Sequence, residues 1–164
     1  MDTVRRFYAH FDMKPPKETT DSPVQAKWWS CPGVLYFFAA GNPPAAIKIG
    51  VAALTNGCSL RQGVTRRLKE VQTVNHETVE LLGLVHFTEG QYPTRSAEKR
   101  ERELHLLFAA QQRFTPGTRG AEWFTPSPEL LAYIREHTQQ PEALNVPRSI
   151  GQPINRTMPG GGAG

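Results

Sequence analysis

The sequence predicts an α/β (α+β) fold in which a three-stranded antiparallel sheet is flanked by helices. Two apolar stretches, GVLYFFAA and AIKIGVA, are separated only by GNPPA. Extended segments joined by so tight a turn must pair antiparallel. A third apolar stretch, TVELLGLVHF, follows a helical pattern and precedes two more. The order is therefore β-β-α-β-α-α, and a strand that returns after a helix can join the same sheet while the helices cover its faces.

The first strand opens after Pro32-Gly33, and the hairpin loop is read as Gly41 to Pro44. In SLRQGVTRRLKEVQ, Leu60, Val64, Leu68 and Val71 recur at helical spacing, with Gly63 as a weak point. The unbroken apolar run of the third strand suggests a central position, covered on both faces. From about Ser96 to Gln112 the pattern is helical again, with Ala97, Leu104, Leu107 and Phe108 on one stripe. After the loop TPGTRGAE and the pair Trp123-Phe124, Ser127-Pro128-Glu129 has the chemistry of a helix start: a capping hydroxyl, a proline at the first position and an acid on the dipole.

These elements assign residues 30–140 to one domain. Residues 1–29 are read as a flexible arm, because MKPPKETTDSP is polar and broken by prolines. Within the arm, VRRFYAHF suits either packing on the domain surface or contact with nucleic acid, and Trp28 and Trp29 are expected to dock it. Residues 141–164, rich in Pro and Gly without periodicity, are read as a disordered tail.

No apolar run approaches the ~20 residues that span a bilayer, and the N-terminus lacks the apolar segment of a signal peptide. A cytoplasmic protein is expected. Cys31 and Cys58 form no CxxC pair, which argues against structural zinc. The net charge of +4 leans toward polyanionic partners.

Four polar residues stand where packing alone would choose otherwise. Glu101 lies on the helical line of Ala97, Leu104 and Phe108, which turns a carboxylate toward the protein body. Arg67 lies between Val64 and Val71 on the inner side of its helix, where a guanidinium suits a phosphate or a carboxylate. A register shift would exchange it with Arg66. Lys48 breaks AIKIG, and strand alternation sets it on the face opposite Ile47 and Ile49, where it can meet Tyr36 across the hairpin.

The succession VLY, KIG, an arginine in RRLKEVQ, ExxLH and GAEWF resembles the GIY-YIG nuclease superfamily, and more narrowly its phage-type branch with a KIG second motif. The match covers about Gly33 to Phe124. The resemblance implies a metal-dependent endonuclease that hydrolyses phosphodiester bonds in DNA, with RNA as the other candidate polymer. It implies that Tyr36 orients or deprotonates the attacking water, that Lys48 takes the second motif's tyrosine position, and that Arg67 steadies the scissile phosphate. Glu101 would hold one divalent cation, Mg2+ or Mn2+, with His105 beside it in the ExxLH signature. Arg61, Arg66 and Lys69, on the arginine-bearing helix, are the candidate nucleic-acid contacts. Positive charge from Lys48 is expected to lower the Tyr36 phenol's pKa. Trp123 and Phe124 are read as core aromatics, and Glu122 as a partner for Arg113 or Arg119. The alternatives are a non-catalytic nucleic-acid-binding or regulatory module on the same scaffold, and an interaction domain in which Tyr36 and Glu101 lie far apart.

Overall fold

The structure, a computed structural model, describes residues 23–114 and 120–151. The VRRFYAHF segment, Arg119 and the chain beyond residue 151 lie outside the described residues.

Strands β1 (Gly33–Ala40) and β2 (Ala46–Ala53) form the expected antiparallel hairpin, with Tyr36 opposite Gly50 and Phe38 opposite Lys48. Strand β3 (Val79–Phe87) pairs antiparallel with the other side of β1, with a register shift between Phe37 and Phe38. A short fourth strand, β4 (Trp123–Phe124), pairs antiparallel with β2, so the sheet is four-stranded in the order β3-β1-β2-β4. The fourth strand corrects the expectation of three. Two residues are too few to show a strand's period of two. Only tertiary contact makes them a strand, as when the Ile49 amide donates to the Glu122 carbonyl at 3.0 Å.

A second correction concerns which strand is central. That strand is β1, buried along its whole length, whereas β3 lies at the edge. The apolar run of β3 has another explanation: the chain after the last helix returns to cover its open side. Leu81 donates its amide to the Arg148 carbonyl at 2.7 Å, and Leu84 exchanges amide bonds with Gln139. The Arg148 guanidinium also donates to the Leu81 carbonyl and pairs with Glu142. Residues 141–151, assigned from composition to a disordered tail, are thus docked on β3 where the structure describes them. Each such bond satisfies an edge group that would otherwise face solvent.

Alternation along β1 feeds two cores. Val34, Tyr36 and Phe38 pack with Val64, Leu68 and Val71 of α2 (Leu60–Thr73), while Leu35 and Phe37 pack with Ile47, Ile49, Leu104, Phe108, Leu130 and Ile134. Helix α2 begins with a capping box, Ser59 accepting from the Gln62 amide while the Gln62 side chain accepts from the Ser59 amide. Gly63, a weakness by propensity, is where Leu54 fits: a Cβ there would run into Leu54 Cδ2. Helix α3 (Pro93–Leu107) starts and ends earlier than expected, with a single 3-10 turn at Ala109–Gln111. Helix α4 (Pro128–His137) starts as read, Ser127 Oγ accepting from the Leu130 amide at 3.1 Å.

Part of the presumed arm is also folded. Pro23–Ser30 forms helix α1, which packs on α3 through Trp29, a residue only 3% exposed. The Trp29 indole donates to the Glu98 carboxylate at 3.3 Å, lies 4.6 Å from the Arg95 guanidinium and meets Tyr92 edge-on. Eight residues with one buried side chain leave no apolar period in the sequence, so the helix was not legible there.

Candidate active site

The face of the β1–β2 hairpin that carries Tyr36 also carries Lys48, and it forms the floor of an open cleft of about 560 Å3. Helix α2 supplies one wall and α3 the other, with α1 at one end. Tyr36, Lys48, Arg66, Arg67, Glu101 and Glu122 all line it. Tyr36 and Glu101 therefore share one site, contrary to what an interaction domain with dispersed motifs requires.

Tyr36 is buried and its ring stacks on Phe38, with centroids 4.3 Å apart. The phenol lies across Gly50, where an added Cβ would stand 2.5 Å from the hydroxyl oxygen and 2.6 Å from the ring carbon bearing it. The glycine of the KIG sequence is thus the space that the tyrosine occupies. Because Phe38 backs the ring, Gly50→Ala is expected to displace the phenol. Destabilisation by about 1–3 kcal/mol should follow, as for overpacking elsewhere, and is measurable by thermal denaturation.

Lys48 is opposite Phe38 and so diagonal to Tyr36. Its ammonium lies 2.6 Å from a Glu122 carboxylate oxygen, both side chains being about one-tenth exposed, at 12% and 11%. This corrects one of the two partners expected for Glu122: the Arg113 guanidinium donates to the Ala45 carbonyl, while Glu122 pairs with Lys48 and Arg119, the other candidate, lies outside the described residues. The expected effect of Lys48 on the phenol is also corrected. Burial pushes the Tyr36 hydroxyl's pKa up, Arg67 opposes this, and Glu101, Glu122 and Glu70 reinforce it. With a carboxylate against the ammonium, little positive field remains for the tyrosine. Of the expected core aromatics, Phe124 is fully buried, whereas Trp123 is half-buried beside Lys48, 6.0 Å from its ammonium.

Glu101 is 2% exposed on the stripe with Ala97 and Leu104, as its spacing implies. Burial raises its pKa well above the ordinary carboxyl range; Glu98 and Glu122 add to the rise, while Lys48 and Arg102 oppose it. His105, one turn on, stands behind this group and does not line the cleft. Its Nε2 is 3.1 Å from the Ile49 carbonyl and 3.8 Å from a Glu101 oxygen. A carbonyl only accepts, so the shorter contact requires the proton on Nε2.

Arg67 is not turned inward as its position between Val64 and Val71 suggested. It is exposed and pairs with Glu70 at 3.2 Å, with Arg66 beside it on the same rim. The long side chain reaches from the helix flank back to the cleft mouth. Arg61 and Lys69 are exposed outside the cleft lining, and Arg61 donates to Asn145 at 3.3 Å.

Sequence reasoning missed Glu98, Glu70 and the place of Trp28. Glu98 is 5% exposed and lines the cleft. A signal for it existed: Thr94, Glu98, Glu101 and His105 follow one helical line beside the apolar stripe.

Among the described residues no three His, Cys, Asp or Glu side chains are grouped closely enough to cage a metal ion. The donors nevertheless suit an ion held by one protein ligand. A buried Glu101 carboxyl surrounded by further acids favours any added cation, and magnesium commonly takes one or two carboxylates and keeps waters or phosphate oxygens for the rest.

No protein-family model, curated protein or solved structure matches this chain.

Proposed function

We propose that the chain is a metal-dependent endonuclease of GIY-YIG type, acting on phosphodiester bonds of DNA in the cytoplasm. One observation carries the proposal: a single cleft collects Tyr36 from β1, Lys48 from β2, Arg67 from α2 and Glu101 from α3. Packing does not require a carboxyl, an ammonium, a phenol and a guanidinium to converge, whereas phosphodiester hydrolysis has a use for the carboxyl, the phenol and the guanidinium. No helix among the described residues is long and apolar enough to cross a membrane, which accords with a protein that meets DNA in water.

In this reading Arg66 and Arg67 hold phosphate oxygens at the cleft mouth. Arg67 absorbs charge that develops on the scissile phosphate. Tyr36, held in its neutral form by burial, orients the attacking water through its hydroxyl rather than deprotonating it, and the water's proton leaves to solvent through the open cleft. Glu101 would hold the divalent ion, which when bound would supply Lewis-acid stabilisation of the phosphate and the leaving oxygen. His105 acts as a positioning residue, tying α3 to the Ile49 carbonyl behind Glu101. Lys48 and Glu122 keep the floor neutral as a pair, with the ammonium also offsetting Glu101.

Purified protein incubated with supercoiled plasmid and branched DNA in magnesium, manganese or EDTA tests the proposal. Metal-dependent nicking is expected; the absence of cutting on every substrate overturns it. The second reading, a nucleic-acid-binding module without turnover, is favoured by the raised phenol pKa and by Lys48 being engaged with Glu122. It predicts salt-sensitive binding with no cleavage in any metal.

Both readings share one electrostatic expectation. Arg66→Ala should weaken binding across sequences and flatten the plot of log affinity against log salt by about 0.7–0.9 for each phosphate left without its guanidinium. A slope unchanged by the substitution would exclude Arg66 from phosphate binding.

A further inference from the structure

The two tryptophans of α1 have different surroundings. Trp29 is engaged on all sides by Glu98, Arg95 and Tyr92. Trp28 is half-buried and lines the cleft, and among the described residues no aromatic ring, cation or acceptor engages its indole. Its position is well anchored. Trp29 docks the helix on α3; the Cys31 amide donates to the Trp28 carbonyl at 3.2 Å, and Thr94 donates to the Cys31 carbonyl through its hydroxyl at 2.7 Å. These bonds hold Trp28 near the end of the hairpin where Gly33 faces Ala53. From Lys48 to Ala53 the floor of the cleft runs roughly 16 Å along an extended strand. Gly50, covered by the Tyr36 ring, and then Val51, Ala52 and Ala53 line that run, and Arg66 and Arg67 of α2 line the same cleft. Arg66 and the Arg67–Glu70 pair stand at the cleft mouth, with Glu98, Glu101 and Glu122 deeper in the lining. This leaves a guanidinium rim and an aromatic plate on one cleft, the two parts that sites tracking a nucleic-acid backbone and stacking its bases combine.

We infer that the Trp28 indole is a stacking platform for an unpaired nucleobase a short way along the strand from the scissile phosphate. The cleft then takes a single-stranded or locally unpaired stretch of nucleic acid. A base within a duplex has both faces covered by its neighbours and offers none to an indole, so the platform discriminates against uniform duplex. The inference rests on the nuclease reading for the position of the scissile phosphate, but its signature is a binding property.

The test uses a single-stranded oligonucleotide carrying 2-aminopurine, whose fluorescence falls on stacking, titrated in EDTA so that no cutting occurs. Wild-type protein should quench the probe. Trp28→Ala should abolish the quench and weaken single-strand binding roughly tenfold, within the range for loss of one base–aromatic stack, while leaving affinity for a blunt duplex unchanged. Trp28→Phe should keep the quench. A quench that persists in Trp28→Ala, or equal losses for single strand and duplex, overturns the inference. If wild-type protein nicks plasmid with metal while the probe fails these tests, only the stacking site is lost. If wild-type protein binds neither form and cuts nothing, the site and the nuclease reading fall together.

Discussion

Glu101→Gln is expected to reduce DNA cleavage by roughly 10²–10³-fold, the scale for removing one preorganised electrostatic group from an active site, without loss of thermal stability. The two outcomes have one cause. Glu101 is almost fully buried near Glu98 and Glu122, so its charged form is disfavoured in the folded protein. A group whose folded pKa is raised contributes stability that is complete below its unfolded value, near 4.5, and is lost as pH rises through the folded value. The contribution of Glu101 to wild-type stability should therefore fall on going from acid toward neutral pH, and the glutamine variant should lack that fall. On the proposed reading magnesium would compete with the proton for the same oxygens, so it should raise the melting temperature of wild-type protein at neutral pH and do so less for the variant. Melting curves across pH, with and without magnesium, check both effects. Unchanged cleavage in a folded Glu101→Gln protein would remove Glu101 from the chemistry.

Lys48→Met should destabilise the fold by about 3–5 kcal/mol, the usual result of removing one partner from a buried ion pair. Glu122 would lose an ammonium 2.6 Å away, and Glu101 a compensating charge. The double variant Lys48→Met/Glu122→Leu should recover part of that stability, because the Glu122 carboxylate is then no longer left without the ammonium 2.6 Å away. Neither protein should cleave DNA at the wild-type rate, since the floor beneath the phosphate has changed in both. Denaturant unfolding measures the coupling between the two positions. Additive losses in the single and double variants would mean that the pair contributes nothing as a pair.

The hairpin was readable because GVLYFFAA and AIKIGVA have strand composition and only a short turn between them, which leaves one way to pair. The burial of Glu101 was readable from its line with Ala97 and Leu104, and the start of α4 from Ser127-Pro128-Glu129, because helical period and capping chemistry are local properties. Strand β4 and helix α1 were not, since two residues and one buried tryptophan leave no period to detect. The edge position of β3 was hidden for a different reason. Its apolar character is the same whether another strand or the returning segment around Arg148 covers its open side.

Periodicity and turn chemistry, which act within one segment at a time, specify strands β1 to β3, helices α2 to α4, their order and the faces that carry Tyr36, Lys48 and Glu101. Tertiary structure alone decided the partners. Glu122 is turned to Lys48, Arg67 lies on the rim, Glu98 is drawn into the cleft, and Tyr36 is held neutral. Each of these depends on distances between segments remote in sequence and on the water excluded between them, and the strength of a charge pair or a buried carboxyl is set by those distances and that exclusion.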